Sequence, residues 1–110
     1  MAFTVENGRI ELQHIPSHCE HNAHMFYIKL ANLKDRNRVL NALNQRKIKA
    51  VFHYIPLHSS PYGKDNGVFH GEDKFTTCES ERLIRLPIWY DLDINMTDFV
   101  VNNLIEILSA

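Results

Sequence analysis

A two-layer α+β sandwich, a small and mainly antiparallel sheet covered by about three helices, is the fold that the sequence predicts. Short alternating or β-branched runs are interleaved with amphipathic runs of helical period. Neither an internal repeat nor a low-complexity tract interrupts them. With 110 residues, 45% apolar and 23% charged, the chain has enough apolar material for one core and the balance of an ordinary globular protein.

Residues 1–22 concentrate polar side chains and Pro16, with one candidate strand at residues 9–13. They read as a lead-in, and residues 23–110 as the compact domain. Residues 24–30 alternate, with His24, Phe26, Ile28 and Leu30 on one face and Met25, Tyr27 and Lys29 on the other, as a half-buried strand requires. Asp35 is placed to cap a helix that runs to about Lys47 with an apolar stripe of Val39, Leu40 and Leu43, leaving Arg36, Arg38, Asn41 and Asn44 exposed. Lys47 stands where a helix-ending glycine would be natural. Residues 50–55 are β-branched and aromatic, and Pro56, which has no amide proton, ends a second strand.

Residues 59–75 hold Pro61, Gly63, Gly67 and Gly71 and read as a long connection, of the kind that is usually functional or mobile. Thr76 or Thr77 then starts a short helix to about Ile84, with Glu79 near its beginning and Arg82 and Arg85 toward its end. Residues 86–89 make a short strand. Asn95 or Thr97 opens the final helix, with Asp98 in its first turn and Val100, Val101, Leu104, Ile105 and Leu108 on its apolar face.

Twelve basic and thirteen acidic residues give a formal charge of −1, so no global field favours nucleic acid or an anionic membrane. Two cysteines, Cys19 and Cys78, without CxxC spacing indicate neither a disulfide framework nor a cysteine-rich zinc module, and fit a reduced, cytoplasmic setting. The first residues lack the unbroken apolar core of an export signal. The longest apolar stretches, residues 50–57 and 99–108, are interrupted by polar groups and fall short of the ~18 residues needed to span a bilayer.

Three constellations carry candidate chemistry. His14, His18, Cys19, His21 and His24 offer zinc-type donors within eleven residues, but without a second ligand cluster they read better as loop histidines. Lys34, Arg36 and Arg38, with Arg46, Lys47 and Lys49, form basic faces that suit one or two phosphate contacts more than nucleic acid. His53, Tyr54 and His58 fall where a strand breaks into the long connection, the usual place for a site. A phenol there can stack on or hydrogen-bond a sugar or base, and the imidazoles can donate to phosphate or hydroxyl oxygens; the competing reading is a satisfied core histidine beside a structural turn.

That third segment, HYIPLHSSP, with HNAHMFYIKL before it and GEDKFTTCESERLIRLPIWYDL after it, resembles the DegT/DnrJ/EryC1/StrS family of sugar aminotransferases from about Asn22 onward. The resemblance implies a fold-type-I enzyme dependent on pyridoxal phosphate, in which a large domain binds the cofactor and a C-terminal small domain, the part matched here, closes over the active site. It implies transfer of an amino group from glutamate to a dTDP-linked keto sugar, for bacterial surface polysaccharide, by a homodimer. The family's aldimine lysine and pyridinium-pairing acid lie in the large domain. None of Lys29, Lys34, Lys47, Lys49, Lys64 and Lys74 stands in the family's serine-x-x-lysine setting.

The chain alone is therefore expected to bind no pyridoxal phosphate and to catalyse no transamination, with no catalytic residue of its own. His53, Tyr54 and His58 map onto the small-domain segment that approaches the sugar nucleotide, which implies binding or orientation. Arg85 has two readings: the small-domain arginine that fold-type-I enzymes often place on the amino donor's carboxylate, or, with Arg82, a cation that only neutralises a helix C-terminus, the reading favoured here. The competing function is a stand-alone binding or interaction module, metal-binding if the histidine cluster is a ligand set.

Overall fold

A computed structural model describes residues 8–110. Its sheet has three strands, β1 (Glu11–Leu12), β2 (Phe26–Lys29) and β3 (Leu83–Leu86), in the order β1-β2-β3. Both pairings are antiparallel. Ile28 lies opposite Ile84 and Phe26 opposite Leu86, so one face of the sheet is apolar. Two long helices cover it, α1 (Leu33–Gln45) through Val39 and Leu43 and the C-terminal α4 (Ile94–Ser109) through Leu104, Ile107 and Leu108. Two shorter helices, α2 (Pro61–Asn66) and α3 (Thr76–Arg82), make four α-helices among the described residues. The α+β sandwich that the sequence predicts is present, and no helix among the described residues is long and apolar enough to cross a membrane.

The elements differ from the sequence reading in four places. The candidate strand at residues 9–13 is real but short, and Ile10 is buried in the core, so the sheet begins inside the stretch read as a lead-in. Residues 50–55 form no strand: Val51 alone bridges Arg85. The next rung toward Pro87 has no amide proton, and the Ala50 carbonyl is taken at 3.0 Å by the Asn44 side chain. The third difference is a shift of about three residues in the last strand. α3 stops at Arg82 and β3 occupies Leu83–Leu86, because Ile84 and Leu86 alternate into the core and Pro87 closes the ladder.

Fourth, the caps sit two to four residues earlier than expected. Asn32, not Asp35, caps α1 by accepting the Asp35 amide proton at 2.9 Å. Asp93, not Asn95 or Thr97, caps α4 by accepting from the Asn95 amide at 2.6 Å. An apolar residue, Leu33 or Ile94, stands first in each helix and disguises the true start.

At the end of α1, the Lys47 amide bonds the Asn44 carbonyl at 3.0 Å and the Ile48 amide bonds the Leu43 carbonyl at 3.0 Å, a complete Schellman closure. It requires Lys47 at φ 63°, the left-handed region that costs a side-chain-bearing residue about 1 kcal/mol. The helix-ending glycine position noted in the sequence is thus occupied by an exposed lysine. The carbonyls at the far end of α4 are met by arginines from elsewhere: Arg38 on Ile107 at 3.2 Å, and Arg9 on Leu108.

An ionic lattice joins β1, β2 and α3. Lys29 pairs with Glu11 at 3.0 Å and Glu79 at 2.8 Å, and Arg82 pairs with Glu79 at 3.0 Å and with Glu11. The Arg82 hydrogen bond, then that of Lys29, holds the Glu11 carboxyl below its ordinary value of 4.5, and Lys29 does the same for Glu79. The same partners raise Lys29 and Arg82.

Two outcomes follow for stability. Lys47→Gly relieves the left-handed backbone without losing packing, and should stabilise the chain by about 0.5–1 kcal/mol in urea titration. The lowered carboxylates stabilise the fold fully above about pH 4.5 and lose that contribution as pH falls through their depressed values. Melting temperature should therefore drop on acidification below that point, and the double variant Glu11→Gln/Glu79→Gln should be less stable at neutral pH with a shallower acid decline. The raised groups add nothing to this limb, since their contribution is lost only as pH rises above about 10.5.

Candidate functional site

The segment after Val51 is built of stacked turns rather than strand or open loop. Pro56 leads into a 3-10 turn, Leu57–Ser59, and Ser60 caps α2 by accepting the Gly63 amide proton at 3.0 Å. The Ser60 hydroxyl also donates to the Leu57 carbonyl at 2.7 Å, tying turn to helix. Gly63 is buried, and a β-carbon there would stand 1.7 Å from the Leu57 carbonyl oxygen, so the two turns touch where no side chain fits. The long connection read at residues 59–75 therefore contains a helix of its own.

His58 is fixed at the edge of this unit. Its Nε2 lies 2.9 Å from the Asp73 carboxylate, and its ring is tilted on Phe69 with centroids 4.3 Å apart. The Thr77 hydroxyl donates to Asp73 Oδ2, and the Thr77 amide donates to Oδ1 at 3.2 Å. These Thr77 bonds, with a smaller contribution from His58, hold the Asp73 carboxyl below its ordinary value of 3.8. An ionised acceptor on Nε2 fixes the proton there and leaves Nδ1 free. Beside His58 opens a cavity of about 390 Å³, walled by Leu57, Tyr62, Val68 and Phe69 with His70 and Asn66 as further polar groups.

The other two predicted residues lie apart from that cavity's lining. His53 and Tyr54 touch edge to face, with centroids 4.7 Å apart at 65°. The His53 Nδ1 is buried without a hydrogen-bond partner among the described residues, whereas Tyr54 is 71% exposed. Asp73, Thr77 and Phe69 escaped sequence reasoning. The one signal was an aspartate four residues before Thr77, a spacing easily taken for a helix cap and nothing more.

The remaining constellations resolve differently. Among the described residues no group of three or more His, Cys, Asp or Glu side chains is placed to hold a metal, and His21 is engaged by Gln13 and the Ala23 amide. The basic face breaks up. Arg46 pairs with Glu106 at 2.7 Å, and Arg36 is not exposed but buried, its guanidinium 5.1 Å from the Phe52 ring centroid. The planar cation lies on the aromatic face with Nε and Nη1 unpartnered among the described residues, and burial pushes its pKa down. Arg82 does end α3, but Arg85 lies within β3 and cannot neutralise that helix, which corrects the reading favoured above.

A family model for DegT/DnrJ/EryC1/StrS aminotransferases matches residues 4–105. The chain belongs to this aminotransferase family. The fold agrees. NtdA of Bacillus subtilis with bound PMP superposes with a TM-score of 0.80 at 23% identity, over 99% of this chain and 25% of that one. Spr1654 of Streptococcus pneumoniae in its PMP form, assigned as a sugar aminotransferase, gives 0.74 at 20% identity, over 92% and 26%. The PLP form of Spr1654 gives 0.73 at 18% identity, over 98% and 29%. The chain thus spans about a quarter of the length of these solved aminotransferases.

For an aminotransferase the lysines are the decisive residues, because an imine-forming amine must be able to lose its proton. Lys29 is pinned as an ammonium by two carboxylates and shifted upward, the opposite of what the role needs. Lys34, Lys47, Lys49, Lys64 and Lys74 are exposed side chains at the surface, and among the described residues none of them forms a hydrogen bond that would hold it in one position. The described residues do not fit the covalent anchor of pyridoxal phosphate.

Gly63→Ala should force the Leu57 turn off α2 and cost about 2–4 kcal/mol, as overpacking against rigid backbone does. Chemical denaturation measures the loss, and faster amide exchange at Gly63 and Lys64 would localise it.

Proposed function

We propose that this chain is the small domain of a pyridoxal-phosphate-dependent transaminase that moves an amino group from glutamate to a dTDP-linked keto sugar, the chemistry of dTDP-4-amino-4,6-dideoxygalactose transaminase. Residues 23–110 form the body of the domain, and residues 1–22, which contribute β1 and Ile10 to it, lead in from a large domain that holds the cofactor, its lysine and its acidic partner. The product feeds bacterial surface-polysaccharide synthesis in the cytoplasm, and the whole enzyme is a homodimer. By itself the chain is inactive.

The observation that carries this reading is His58 held by Asp73 at an aromatic-walled cavity, within a sequence matched to the family over residues 4–105. His53, Tyr54 and His58 bind or orient the sugar nucleotide. An imidazole with a fixed proton can accept from a sugar hydroxyl through its free nitrogen, and an exposed phenol ring can cover a sugar or base face. Exposed apolar side chains favour coverage by another protein body: Val68 on the cavity wall is 97% exposed and Tyr54 71%, and elsewhere on the surface Phe75 is 74% exposed and Tyr90 fully exposed.

In the enzyme that carries this domain, His58→Ala and Tyr54→Ala should raise KM for the dTDP-keto sugar roughly tenfold, with the glutamate half-reaction unchanged. Wild-type constants in His53, Tyr54 and His58 variants alike would remove the assigned role.

A further inference from the structure

A second concavity, of about 270 Å³, opens where β2 begins and β3 ends. Its lining shares no residue with the His58 cavity. His24, Lys49 and Arg85 stand around it on an apolar wall that includes Phe26, Val51 and Ile88, and no carboxylate lines it. The three polar residues come from three separate stretches of chain. Arg85 is held on both sides, by its β2 partner Tyr27 and by the Val51 bridge, whose two hydrogen bonds measure 2.7 and 3.2 Å.

Arg82, three residues earlier, offers a contrast: two carboxylates and a main-chain carbonyl surround it. Arg85 is half-buried as well, yet its guanidinium makes no hydrogen bond or ion pair among the described residues, and the same holds for the Lys49 ammonium and the His24 ring. A partly buried cation without a counter-charge is unfavourable unless an anion joins it, and among the described residues Arg85 lacks the aromatic face that Phe52 gives Arg36.

We propose that this cavity binds a phosphate group. Arg85 supplies a rigid fork of donors, Lys49 a second positive charge and His24 a further N–H. Two positive charges with no acid between them match a phosphate, which carries about −1.5 to −2 at neutral pH, whereas one carboxylate would balance only half. The space accommodates a phosphate with a few attached atoms. The assignment rests on these residues alone and is independent of the role given to His53, Tyr54 and His58.

The test is an amide NMR titration of this chain with sodium phosphate slightly above neutral pH, alongside sodium chloride and sodium glutarate at matched ionic strength. Phosphate should give saturable shifts at His24, Lys49 and Arg85, and bind more tightly than glutarate. Arg85→Gln should weaken phosphate binding roughly tenfold or more, the worth of charge-assisted hydrogen bonds. Lys49→Gln, at an exposed position, should weaken it several-fold, and decides the matter if the Arg85 variant does not fold. Shifts no different from chloride, unchanged affinity in the variants that fold, or glutarate binding as tightly as phosphate would overturn the proposal.

Discussion

α3 becomes β3 between Arg82 and Leu83 with no residue in between, and the outer half of the molecule depends on that corner. The Arg82 carbonyl accepts the Leu30 amide proton at 2.8 Å, while its own Nε returns a bond to the Leu30 carbonyl at 2.7 Å. The strand is therefore in register with β2 from its first residue. Glu11 and Glu79 keep the guanidinium in place. Exposed ion pairs contribute only ~0–1 kcal/mol each. What sets Arg82 apart is that main-chain and side-chain bonds act on one residue at a change of secondary structure.

From that corner the chemistry is positioned in both directions. Forward, Ile84 and Leu86 fall into the core and Arg85 faces away from it. Backward, the start of α3 brings Thr77 to Asp73, and Asp73 in turn sets the His58 ring. A histidine held through two successive hydrogen-bonding partners, one of them on a helix, is better ordered than a loop histidine. The segment that carries it is supported by a helix, a 3-10 turn and a glycine contact rather than by chain stiffness.

Local patterns were legible in the sequence where they coincide with burial. The alternation around Ile28, the stripe of Val39 and Leu43 and the C-terminal apolar face of Leu104 and Leu108 all mark core positions. Residues 50–55 misled because β-propensity says nothing about a partner: Pro87 removes the rung that Val51 would extend. The last strand was displaced because Arg82 and Arg85 both suit a helix end, and only the pairing with β2 decides that one belongs to a helix and the other to a strand. In the candidate site, the histidines and tyrosine stood out by type. Asp73 and Thr77 did not, because their significance lies in a contact across fifteen or more residues of chain with His58.

β1 joins the sheet by two residue pairs, Glu11 with Lys29 and Leu12 with Ile28. Both of its own side chains are exposed, so among the described residues before it and within it Ile10 is the one buried apolar anchor. Releasing it disturbs little of the apolar interior, and requires far less free energy than global unfolding. Peeling the first strand away would leave the helix-backed pair β2 and β3 intact. In that state Lys29 and Arg82 each lose one carboxylate and keep Glu79, and the sheet presents the bare hydrogen-bonding edge of β2 to any extended segment able to add to it.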